Sequence, residues 1–229
     1  MANCRARFTA ADFDFVVKTL SKSQSSAISL VDLLVDLETR DTILDHELLL
    51  QALLTRQTNL SISPQFYFYV LTRHVLKETG INDRPLADYV ASLLETFSRT
   101  ARLNSPAGTP GNPVEYISDM LLSLRNASPV QTFLIRAHVG NYSLFLSGIF
   151  HENVQRRTQR GAPDFSYYED MGRMNFKVVA SHSVARSASL TSIYEALSND
   201  FRHVRVALNR LSDRLINLDE DYATLALPS

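Results

Sequence analysis

The stretch YEALSNDFRHVRVALNRLSDRLINL, Tyr194 to Leu218, sets the fold class. In it Tyr194, Leu197, Phe201, Val204, Leu208, Leu211, Leu215 and Leu218 recur in steps of three and four. That is the a/d spacing of an α-helix, sustained over the whole stretch; a strand would need steps of two. Two packings satisfy such a stripe. One is a helix docked on the chain's own bundle core, and the other is a homodimer seam. A stripe only two positions wide per heptad is narrower than a core helix usually shows, which keeps the seam in play.

The helical period extends towards the N-terminus. Asp164 caps a helix reaching about Arg186, after a break at Gly161-Ala162-Pro163. Ser128-Pro129 opens a long apolar helix to about Phe150, because Ser accepts from a free N–H and Pro lacks an N–H where none is needed. Ser63-Pro64 repeats the signal, and Gly80 stands where such a helix ends. Between about Ser26 and Thr39, Ser29, Asp32, Asp36 and Arg40 form one polar stripe. Ala27, Ile28, Leu30, Val31, Leu33, Leu34, Val35 and Leu37 fill the rest, which predicts one helix buried on most sides.

Composition agrees. Seven glycines and eight prolines in 229 residues are too few for a turn-rich sheet protein. The expectation is an all-α chain, a bundle-like array of about eight to nine helices with no significant sheet. Residues 102–113 gather Pro106, Pro110, Pro113, Gly108 and Gly111. This predicts a long loop on a single helical domain, 1–229, or else a subdomain boundary between 1–101 and 114–229.

Net charge is −1, so no global field draws in nucleic acid or anionic lipid. Cys4 is the single cysteine and cannot form an intrachain disulfide. The first twenty residues lack a continuous apolar core of the signal-peptide type, so a cytoplasmic location is expected. Phe133 to Phe150 is apolar, but it carries Arg136, His138 and Asn141. An Arg at the centre of a span costs at least about 2.5 kcal/mol, which favours a buried helix over a membrane span.

No P-loop, dinucleotide fingerprint, nucleophile elbow, C-x-x-C, H-E-x-x-H or E-x-x-H pair occurs. The balance is against an enzyme, and no metal or cofactor is expected. Three constellations remain. His138 and Asn141 on one helix, and Tyr168, Asn175 and His182 at heptad spacing on the next, place polar groups on apolar faces. Unpaired burial costs about 1–3 kcal/mol each, so they meet one another, water or a small ligand. Gly140, Gly148 and Gly172 lie on the same two helices and admit a close neighbour. Arg156, Arg157 and Arg160 form a basic cluster suited to an anion or nucleic acid. Acidic neighbours make the nucleic-acid reading the weaker one. The heptad residues Tyr194 to Leu218 are the third. The leading expectation is a helical interaction or regulatory protein whose partner is itself or another protein. A ligand pocket between helices 129–150 and 164–186 is the alternative, and an anion site the second alternative.

Overall fold

The computed structural model of the chain describes residues 3–55, 61–104 and 113–225, with side chains over 3–55, 61–98 and 116–215. All regular structure among the described residues is helical. In chain order the helices are α1 (Ala10–Leu20), α2 (Gln24–Leu33), α3 (Leu37–Leu44), α4 (Glu47–Thr55), α5 (Pro64–Glu78), α6 (Arg84–Asn104) and α7 (Pro113–Ser123). They continue with α8 (Pro129–Ile149), α9 (His151–Thr158), α10 (Phe165–Ala180), α11 (Ser183–Ser187), α12 (Thr191–Asn199) and α13 (Phe201–Leu225). Short 3-10 turns occupy Arg5–Arg7 and Leu124–Asn126. Residues 105–112, the centre of the Pro/Gly-rich stretch, lie outside the described residues.

The thirteen helices among the described residues exceed the expected eight or nine because several predicted helices are each divided in two. Polar caps make some of the cuts. At Asp36 the backbone is extended and the carboxylate accepts from the Thr39 N–H at 2.8 Å, opening α3. At His182 the backbone is again extended, and Nδ1 accepts from the Val184 N–H at 3.2 Å, opening α11. A side chain that satisfies a free N–H starts a new helix inside an apolar run without help from Gly or Pro. The run from 191 to 218 is likewise divided, at Asp200.

The chain forms two compact units, Met1–Glu95 with Asp213–Ser229, and Thr96–Ser212. In the first, α5 is central: ten of its fifteen residues are buried, from Gln65 to Leu76. Of the aromatic run at 66–69, Phe66 and Tyr69 face inward, while Tyr67 and Phe68 are half-buried. Charges are buried here too. Asp12 accepts from the Thr9 N–H at 2.7 Å and from the Ser63 N–H and hydroxyl at 2.6 and 2.7 Å, tying the starts of α1 and α5 together. Arg73 grips Asp45 with two hydrogen bonds at 2.8 and 2.9 Å and also donates to Asn82. Burial alone would raise the Asp45 carboxyl, but the hydrogen bonds and charges of Arg73 and Lys77 outweigh it and hold it below the ordinary carboxylate value. Cys4 is buried against Ser92, and burial pushes its thiol up to about 11.

In the second unit, α8, α10 and α12 pack closely, and α13 supplies Phe201 and Leu208. Glycines set the approach. A Cβ on Gly172 would stand 2.0 Å from Cε2 of Phe201, and one on Gly148 would stand 2.8 Å from Cβ of Leu208. Gly140 faces the Phe176 ring in the same way. The carbonyls at the end of α8 are satisfied from α13: Asn209 donates to Ser147 and Gly148 at 2.8 and 2.7 Å, and Ser212 to Ile149 at 2.8 Å.

Candidate functional site

The polar residues expected on the α8 and α10 faces occupy separate settings in the second unit. Asn175 is fully buried and satisfied within the chain: Nδ2 donates to the Met171 carbonyl at 2.8 Å, and Oδ1 accepts from Arg136 at 3.1 Å. Tyr168 is buried in an apolar cluster with Ile117, Val139 and Val154. His138 stacks on Phe97 (ring centroids 5.7 Å apart) and is hydrogen-bonded with the Tyr116 hydroxyl at 3.3 Å. Burial pushes its pKa below the ordinary imidazole value. His182 caps α11 and lies against Phe133, with 5.4 Å between the rings. Asn141 is half-buried. The notches at Gly140, Gly148 and Gly172 are filled by the chain's own Phe176, Leu208 and Phe201.

Of the basic cluster, Arg156 and Arg160 are exposed and Arg157 is half-buried. Arg156 and Arg157 lie in the last turn of α9, where cations complement the negative end of the helix. That placement accounts for two of the three without a ligand.

The heptad stripe requires a correction. It is not one continuous helix, because α12 ends at Asn199 and α13 begins at Phe201. Tyr194, Leu197, Phe201, Val204, Leu208 and Leu211 are at most 2 % exposed in the single chain. Leu215 is half-buried, and the side chain of Leu218 lies outside the described residues. The flanking Arg205 and Ser212 are buried as well. Arg205 pairs with Glu169 at 2.8 Å and lies 4.6 Å from the Phe165 ring centre. Six of the eight stripe residues therefore pack within the chain, with Phe201 and Leu208 seated against Gly172 and Gly148.

A surface that sequence reasoning did not single out lies on α2 and α3 of the first unit. The run expected to be buried on most sides has no buried residue within α2. Ile28 is 60 % exposed, Val31 52 %, Leu33 50 %, Val35 80 % and Leu37 65 %. Of the nearby apolar residues, Leu34 and Leu44 are buried. Ile28 and Val31 lie three apart on one side of α2, and Val35 follows in the turn between α2 and α3. The break at Asp36 opens α3 immediately after them.

The electrostatics of this surface are one-sided. Between Gln24 and Thr39 the chain carries Asp32, Asp36 and Glu38 and no Lys or Arg. All three acids are exposed. Hydrogen bonds from the Thr39 side chain and backbone hold the Asp36 carboxyl below the ordinary carboxylate value, so it is charged at neutral pH. The signal available in the sequence was Asp32, Asp36 and Glu38 set among apolar residues with no Lys or Arg from Gln24 to Thr39. Periodicity counted the run as core because it cannot tell an apolar face that is covered from one that is bare.

Among the described residues no helix is long and apolar enough to cross a membrane. No family model, curated protein or solved structure matches the chain.

Proposed function

We propose that the protein is a helical interaction protein that binds another macromolecule through the apolar face of α2 and the start of α3. One observation carries this. Five large apolar side chains between Ile28 and Leu37 are each at least half exposed within ten residues of sequence. Scattered exposed apolar residues are ordinary, but so many within ten residues, with charges among them, mark a contact surface. Fully burying one such side chain contributes about 1.5–3 kcal/mol, so covering even part of the group supplies useful binding energy. In the second unit, Asn175 and His182 engage groups within the chain, which leaves α2 as the stronger place to look for a partner.

The test is the triple variant I28S/V31S/V35S, followed by urea denaturation and circular dichroism. A face used only for binding leaves the midpoint and the helical signal unchanged. A photo-crosslinking residue at Val31 of the wild type then gives a defined adduct with a partner, which Val35→Asp abolishes and a control substitution at exposed Glu195 does not. Loss of several kcal/mol in the triple variant shows that the face is part of the folded core and overturns the proposal.

A further inference from the structure

We infer that the occupant of the α2–α3 face is an amphipathic helix of a partner protein, with an apolar stripe flanked by Lys or Arg. The inference rests on the interaction reading above and deepens it. Charge complementarity decides among the occupants. Within the stretch Gln24 to Thr39 the charged residues are Asp32, Asp36 and Glu38, with no cation among them. Arg40 is only half-exposed, and Asp41, next in the chain, is engaged by Arg5 at 2.6 Å.

A second copy docked by the same face would bring two acidic rims together, and like charges across an interface are costly. An anionic lipid surface would meet acids where interfacial helices carry Lys and Arg. A helix with basic flanks satisfies both parts of the surface. Its apolar side chains cover Ile28 and Val31 on α2 and Val35 in the turn that follows, as an amphipathic helix laid on an apolar surface does. Its cations then lie beside Asp32, Asp36 and Glu38. These rim charges set association rate and specificity more than depth of binding. Salt weakens them, since exposed charges are screened over about 8 Å at physiological ionic strength.

The experiment uses the full chain and two fluorescein-labelled synthetic helical peptides with one Leu/Ile stripe, flanked by Lys/Arg in one and by Glu/Asp in the other. Fluorescence anisotropy is read at low and at high salt. The basic peptide binds at least about tenfold more tightly at low salt, and the gap narrows as salt rises. The variant D32N/D36N/E38Q lowers its affinity by about tenfold; Asn is as good a helix cap as Asp, so α3 is kept. Val31→Asp abolishes binding of both peptides. Equal affinity for the two peptides, or no effect of the charge variant, overturns the inference. So does a concentration-dependent dimer in sedimentation that Val31→Asp dissolves, which makes a second copy the occupant. Co-sedimentation with phosphatidylserine vesicles makes it a lipid surface. If neither peptide binds while I28S/V31S/V35S is fully stable, the partner class fails and the exposed face stands. If that variant unfolds, the interaction reading itself fails.

Discussion

The α2–α3 segment and the α12–α13 segment are both rich in apolar residues, yet the first is exposed and the second is buried. The difference lies in what faces them. Phe201 and Leu208 enter notches at Gly172 and Gly148, where a Cβ would collide with the side chains that arrive. Asn209, Ser212 and Arg205 then bond across the same contact, so part of the polar flank of α13 is used as well. Ile28 and Val31 on α2, and Val35 in the turn after it, stay exposed, and Asp32 and Asp36 are exposed alongside them in the chain. Apolar content supplies a driving force for burial. A complementary shape on the same chain decides whether folding uses it.

The largest expected effect tests the buried side of this contrast. Phe201→Ala removes a fully buried ring from the Gly172 notch. It is expected to cost about 3–5 kcal/mol in urea denaturation, and a loss below 1 kcal/mol would mean the ring is not a core residue. Gly172→Ala approaches the same contact from the other wall. Alanine is the better helix former, but its Cβ would lie 2.0 Å from the ring, so a net loss of about 1–3 kcal/mol is expected. Adding Phe201→Leu to Gly172→Ala should recover part of that loss, because the smaller side chain vacates the wall. A double variant as unstable as the sum of the singles would break the notch explanation.

Acid is expected to act on the two units over separate windows. In the second unit burial depresses the His138 pKa below its value of 6.5 in the unfolded chain. The unfolded state therefore takes up the proton first. Stability contributed by neutral His138 is fully present above 6.5 and falls as pH drops through that value towards the lower folded pKa. His138→Phe is expected to flatten this part of a stability–pH curve. In the first unit the Asp45 carboxyl is depressed below 3.8. Its contribution is present above the unfolded value and is lost as pH falls through 3.8 towards the folded pKa. Asp45→Asn removes that later loss and leaves the His138 window unchanged.

The smallest expected effect tests the exposed side. I28S/V31S/V35S is expected to stay within about 1 kcal/mol of wild type, since exposed substitutions each fall within about 0.5 kcal/mol. Serine also sits close to Ile and Val in helix propensity. A cost like that of Phe201→Ala would erase the contrast between the two segments.

Helical periodicity and the scarcity of glycine were enough to determine that this chain is all-helical. Individual caps were legible as well: Ser63, Ser128 and Asp164 accept from the N–H groups expected, and Gly80 has the positive φ of a helix-ending residue. Asp36 and His182 were harder to place. Each fits a polar stripe on a longer helix, and only the local backbone shows that it starts a new one. The glycines Gly140, Gly148 and Gly172 did mark a close contact, but the occupant proved to be the chain's own rings and Leu208. Periodicity records which residues share a face, because side-chain direction is fixed by local geometry. What meets that face depends on contacts distant in sequence, and here the tertiary structure decided it: the heptad residues from Tyr194 to Leu211 were buried, and the apolar run at 27–37 was left largely facing outward.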